Sequence, residues 1–210
     1  MKINPFQLFV GVVCLMLCAY ASAGMIDKDG MQEWEICAMC HNYDGISRMS
    51  KFPKLAGQKP AYISQQFFDF NEGHRTNDGG QMVAITTEVD LTKVDEIANY
   101  FSQLPLPEAE LVDQDATNLA LFSQGEKLYH QGADGIPACV GCHGNSESNA
   151  PWLYAQHKDY LSKQLSNFRS LERGVNKQSE MLSVASKLSD KDIESLAVYL
   201  ASSQPRMMKN

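Results

Sequence analysis

Two short stretches of this chain carry residue types and a spacing that can do chemistry. Cys37-Ala38-Met39-Cys40-His41 returns as Cys139-Val140-Gly141-Cys142-His143, at an offset of 102 residues. Two thiols three positions apart can add across the two vinyl groups of a haem. The imidazole directly after the second thiol is then placed to ligate the iron. Zinc would need further Cys or His partners at ligand spacing, and Cys14 and Cys18 are the only cysteines outside the two motifs. A thioredoxin-like redox pair belongs in a βαβ setting, and no strand alternation is visible in either half. The pattern predicts two covalently attached haems, with Cys37, Cys40, Cys139 and Cys142 as attachment points and His41 and His143 as proximal ligands.

The residue on the other side of each iron decides the chemistry. An open iron suits ligand binding or peroxide reactions, whereas a thioether closes the site and raises the potential. Met82 and Met181 stand at equivalent places in the two halves, and that equivalence selects them as sixth ligands. Met31, Met39 and Met49 have no such match and read as core filler or surface. His74, His130 and His157 do not match one another and read as surface or structural residues. Pro53 and Pro151, at matching places after the motifs, are candidates to offer a carbonyl to the N–H of each ligating imidazole.

The elements that must position these residues also repeat. MVAITTEVDLTKVDEIANYF, from Met82, aligns without a gap on MLSVASKLSDKDIESLAVYL, from Met181. Val94, Ile97, Ala98 and Phe101 match Ile193, Leu196, Ala197 and Leu200, and their i, i+3, i+4, i+7 spacing marks one buried helical face in each copy. Asp90 and Ser189 are matched N-cap residues. Asp192, three positions after Ser189, completes a near capping box that Lys93 cannot form in the first copy. A middle helix repeats as well: Ile63, Phe67 and Phe70 correspond to Leu161, Leu165 and Phe168, and Tyr62 to Tyr160. Helical faces kept in register while length changes fall in loops point to duplication of a small domain. ATNLALFSQGEKLYHQG reads as a helix leading into the second motif, and its counterpart around DKDGMQEWEIC as a shorter one. The fold class is all-α: domain 1 spans residues 24–104, a Pro- and acid-rich link 105–115, and domain 2 residues 116–210. A domain of ~80 residues has a thin core, and a porphyrin supplies the missing apolar surface.

Composition narrows the partners. Eighteen Lys and Arg against 25 Asp and Glu give a net charge of −7 with no basic run, which argues against nucleic acid. A charged partner of such a chain presents a basic face. Residues 1–23 read as a secretory signal peptide: Lys2, the apolar run LFVGVVCLMLCAY, and a small-residue site ending at Ala23. That run is short of the ~20 residues of a spanning helix. The expectation is a soluble protein exported to the periplasm, held at the membrane only through a partner.

On CAMCH, FPKLAGQKPAYISQQ (52–66) and DFNEGHRTNDGGQM (69–82) in the first half, and QGEKLYHQG, CVGCH and the Met181-to-last-helix segment in the second, the chain resembles the cytochrome c4 family. The resemblance covers nearly all of the chain after residue 23. It implies two tandem class I cytochrome c domains, each wrapped around a haem c. One iron is then held by His41 and Met82, the other by His143 and Met181. It also implies close packing of the two haems and delivery of electrons to a membrane terminal oxidase. The second half departs from the pattern: PWLYAQ stands where FPKLGGQ is often repeated, and the loop before it is shorter. The haem edge and domain contact are expected to differ there.

The function expected is electron carriage, one electron per haem, between an upstream donor and the oxidase, with no catalytic residues. One rival is a dihaem subunit of a dehydrogenase such as a sulfide-oxidising flavocytochrome. The other is a dihaem peroxidase or thiosulfate oxidase, against which the paired methionines argue.

Overall fold

The computed structural model describes residues 26–204, so the expected signal peptide lies outside the described residues. Residues 26–30 end one unit of the chain; there the Asp29 amide is held by the Asp27 carboxylate at 3.1 Å. From Met31 onward the described chain forms one compact unit. It holds nine α-helices among the described residues and no strand, only an isolated bridge between Ala133 and Ile136.

The first half contains α1 (Glu35–His41), α2 (Pro60–Asn71), α3 (Gln81–Thr86) and α4 (Val94–Gln103). Pro60 opens α2, where its fixed φ suits a helix start and its missing N–H has no partner to lose. α4 buries the expected Val94, Ile97, Ala98 and Phe101 and packs on α2, which in turn holds α3.

The second half contains α5 (Ala116–Gln131), α6 (Val140–His143), α7 (Lys158–Arg169), α8 (Glu180–Ala185) and α9 (Asp190–Ala201). α9 packs on α7, and α7 holds α8, repeating the first half. The Ser189–Asp192 capping box is formed. In the first half Asp90 instead caps a 3-10 turn at Leu91–Lys93, and Lys93 turns to Glu96 at 2.9 Å, so α4 starts later.

Among the described residues α5 has no equal in the first half. It crosses α9 at Gly125, where a Cβ would lie 2.0 Å from the Ser195 carbonyl oxygen. The helix expected around residues 27–37 begins only at Glu35. In place of a crossing helix, Trp34 stacks flat on Tyr100, with centroids 4.0 Å apart. Tyr100 is the repeat counterpart of Tyr199, on which Phe122 and Tyr129 of α5 pack.

Residues 105–115 carry no helix. They lie against the unit rather than hanging from it. The Glu110 amide donates to the Ala201 carbonyl at 2.9 Å. Leu106 fills the space above Gly57, where a Cβ would stand 2.4 Å from its methyl group.

Candidate functional site

His41 ends α1 and His143 ends α6, so each imidazole leaves its helix where the chain turns away. Both rings are buried, and each Nδ1 lies 2.8 Å from a proline carbonyl, Pro53 for His41 and Pro151 for His143. A carbonyl can only accept, so Nδ1 carries the proton and Nε2 keeps a lone pair for a metal. Burial lowers the pKa of both rings against the opposing pull of the proline carbonyls, and Lys59 lowers that of His143 further. Neutral imidazole, the ligating form, is therefore favoured. The expected role of the two prolines is what the structure shows.

Burial also raises Cys37 to about 12 and Cys139 to about 11. Redox-active CxxC pairs depend on the opposite shift. None of the four cysteines of the motifs is in a disulfide. Among the described residues no three His, Cys, Asp or Glu side chains converge as a zinc site needs.

Met82 and Met181 are each the second residue of a six-residue helix, α3 and α8, and both are half-buried. An upstream side chain holds each methionine amide: Asp78 for Met82, and Ser179, at 3.3 Å, for Met181. One continuous cavity of about 740 Å³ reaches all eight residues singled out by sequence: Cys37, Cys40, His41, Met82, Cys139, Cys142, His143 and Met181. That lies within the 300–1,000 Å³ usual for a ligand site.

Where the two ends of this cavity meet, the halves grip each other by a pseudo-twofold pattern. Arg75 Nη2 donates to Tyr160 and Gln164 at 3.2 and 3.0 Å, while Arg173 Nη2 donates to Tyr62 and Gln66 at 2.9 and 2.8 Å. Each guanidinium stacks on an aromatic ring of its own half, Phe70 or Phe168. Both arginines are buried. Burial opposes ionisation of Tyr160, yet Arg75 and Arg173 outweigh it and hold its pKa below the ordinary value. The spot is electropositive and suits a carboxylate-bearing ligand.

A second symmetric pair joins the proline turns. Gln156 accepts from the Lys54 amide and donates to the Lys54 carbonyl, both at 2.9 Å. Gln58 makes the same two bonds with Trp152, also at 2.9 Å.

The departures noted in the second half alter this site less than the sequence suggested. Ala155 takes the left-handed place of Gly57, at φ +54 against +67, a strain of ~1 kcal/mol for a residue with a Cβ. The two amides still bond matching positions of the last helices, Phe101 for Gly57 at 3.0 Å and Leu200 for Ala155 at 2.8 Å. What is lost is Phe52, edge-on to His41 at 6.1 Å, whose counterpart is Ala150.

The cytochrome c family model matches residues 122–204. Cytochrome c4 of Pseudomonas aeruginosa is 35% identical over 197 residues, covering 90% of this chain and 94% of that protein. The chain belongs to the cytochrome c4 family. The crystal structure of reduced recombinant cytochrome c4 from Pseudomonas stutzeri superposes with a TM-score of 0.67 at 33% identity, over 86% of this chain and 99% of that one. A protein of Stutzerimonas stutzeri named thiosulfate dehydrogenase electron acceptor is 30% identical, over 79% of this chain and 77% of its own length.

As a cytochrome c4, this chain is a dihaem c-type electron-transfer protein and not an enzyme, and its cofactors are two haem c groups. The site fits them: two CxxCH motifs, two Nε2 lone pairs, two thioethers and a pair of buried guanidiniums share one cavity. Of the other three histidines, His130 and His157 do not line this cavity, whereas His74 does. His130 meets the Tyr199 hydroxyl at 2.8 Å, His74 lies 2.9 Å from the Glu72 carboxylate, and His157 is buried 3.7 Å from Glu110. Sequence reasoning missed the arginine and glutamine pairs. Gln58/Gln156, Gln66/Gln164 and Arg75/Arg173 are identical polar residues at the offset of 98 that also relates Pro53 to Pro151, and that identity was the available signal.

Proposed function

We propose that this protein is a periplasmic carrier, exported by its first 23 residues, that takes up one electron per haem from an upstream donor and passes it to a terminal oxidase at the membrane. Residues 24–104 and 116–210 are its two haem domains and 105–115 their link. The observation that carries this reading is the duplicated constellation: in each half a buried imidazole anchored on a proline carbonyl shares the cavity with a methionine at the same helix position.

Cys37 and Cys40 hold one haem covalently, Cys139 and Cys142 the other. His41 and Met82 ligate the first iron, His143 and Met181 the second. When bound, each haem supplies a one-electron ferric/ferrous couple. The protein's residues set its terms. The thioethers close the irons to exogenous ligands and raise the potential. The prolines hold the proton on each Nδ1 and fix the ring planes. The core of Phe67, Phe70, Phe101, Leu161, Leu196 and Leu200 excludes water, which limits reorganisation. Arg75 and Arg173, buried against the cavity, would offer their guanidiniums to haem carboxylates.

Optical spectra through a redox titration test the reading. The ferric protein should show the far-red methionine–iron charge-transfer band at the strength of two haems. Met82→Ala and Met181→Ala should each remove half of it. A high-spin ferric haem that reacts with peroxide would overturn the assignment.

A second reading, a dihaem subunit serving a dehydrogenase, is favoured by the relative named thiosulfate dehydrogenase electron acceptor. Stopped-flow reduction by a purified thiosulfate dehydrogenase, against oxidation by a terminal oxidase, separates the two.

A further inference from the structure

The glutamine pair lies one peptide group away from the imidazole of each motif, and always in the opposite half. The carbonyl of Pro53 accepts from His41, and the N–H of that same amide, carried by Lys54, donates to Gln156. The carbonyl of Pro151 accepts from His143, and the N–H of that amide, carried by Trp152, donates to Gln58. The backbone groups on either side leave no choice about which end of each carboxamide is oxygen, since Oε1 faces an N–H and Nε2 a C=O. Both glutamines are buried, so water does not compete strongly for these bonds.

We infer that Gln156 and Gln58 are crossed positioning residues: each half of the protein sets the donor strength, and with it the potential, of the other half's haem through one shared amide. The inference rests on His41 and His143 being iron ligands. An amide whose N–H is engaged has a more negative carbonyl oxygen, because hydrogen bonds in a chain polarise one another. That oxygen pulls harder on the Nδ1 proton, and the imidazole becomes a stronger donor at Nε2. A stronger donor favours ferric iron and lowers the potential. The two ends of the relay are held against movement. Gln156 Nε2 returns to the Lys54 carbonyl, and Lys54 Nζ donates to the Ala155 carbonyl at 2.7 Å. On the other side Lys59 sits over the Trp152 ring at 4.1 Å and donates to the Asn145 and Ser148 carbonyls at 2.7 and 2.6 Å.

The test is crossed substitution in the haem-loaded protein. Gln156→Met keeps the length of the side chain and removes both bonds. At a fixed applied potential it should lower the ferric-to-ferrous ratio of the first haem roughly two- to fourfold, the scale expected of cooperative strengthening by one bond. The second haem should not shift. Gln58→Met should do the converse. Tenfold in this ratio is 59 mV for a one-electron couple, so the effect is resolvable. Resonance Raman of the ferrous protein gives a readout that simple loosening of the interface would leave unchanged: weakened imidazole modes at the crossed haem only. Gln156→Asn, which draws the carboxamide back by one methylene, serves if the methionine variant does not fold. Equal shifts on both haems, a shift on the glutamine's own haem, or none would overturn the inference. A spectrum lacking histidine–methionine coordination in the unmodified protein would instead overturn the ligand assignment beneath it.

Discussion

Gly125→Ala is the substitution whose effect the fold fixes most directly. The added Cβ would stand 2.0 Å from the Ser195 carbonyl oxygen, 2.6 Å from its carbon and 2.7 Å from Tyr199 Cβ. Atoms in contact prefer about 3.5 Å, so α5 and α9 must part by roughly 1.5 Å. The obstacle is α9 backbone, not a side chain that can rotate. Overpacking costs about 1–3 kcal/mol, and an unyielding neighbour puts this case at the upper end. Alanine returns about 1 kcal/mol as the better helix former. The net loss of about 2 kcal/mol should lower the melting temperature by roughly 4–8 °C for a chain of this size. Circular dichroism melts of the haem-loaded protein measure it, with the methionine–iron band followed alongside. The band of the second haem should fade first, because the first half has no such crossing. A variant melting within about 1 °C of the parent would refute the close approach of α5 and α9.

Other substitutions test the remaining contacts. Gly57→Ala places a Cβ 2.4 Å from Leu106 at φ +67 and should cost ~2 kcal/mol, part of it recovered by Leu106→Ala in a double-mutant cycle of urea melts. His157 is held below its ordinary pKa by burial and then by Lys54, against weaker opposition from the Ser47 carbonyl and Glu110. The unfolded chain therefore protonates first as pH falls, and stability should decline below about pH 6.5 with a slope of up to ~1.4 kcal/mol per unit. His157→Gln should flatten that slope in melts of the haem-loaded protein. Arg75→Gln and Arg173→Gln each remove a buried cation from the meeting point of the halves, and each should lower both midpoint potentials in a redox titration, since ferric haem carries the extra positive charge.

Much of this arrangement was legible in the sequence because it is local or repeated. CxxCH fixes thiols and imidazole within five residues, and the Val94–Phe101 and Ile193–Leu200 stripes announce their helices by spacing alone. Pro53 and Pro151 were legible as carbonyl partners because the repeat keeps them in step. The crossed contacts were not, because a bond such as that from Lys54 to Gln156 joins residues 102 positions apart and has no local period. The first half's missing crossing helix was hard to foresee for a different reason: Trp34 replaces a helix with one stacked ring, a tertiary solution that helical propensity does not register. Ala155 in a left-handed turn shows the same override, with the amide bond to Leu200 holding a conformation that alanine disfavours.

The crossed grips have a consequence for how the two halves stay together. The arginine and glutamine bonds given by positions in one half are matched by those of the corresponding positions in the other, which is the rule of an isologous C2 interface. Polar contacts of this kind would by themselves be a weak association between separate chains. Here the two halves belong to one chain, which makes the association intramolecular, at an effective concentration in the millimolar range for a short connection. The protein behaves as a dimer that cannot dilute itself apart, free to let its two once-equivalent sites diverge, as Phe52 and Ala150 already have.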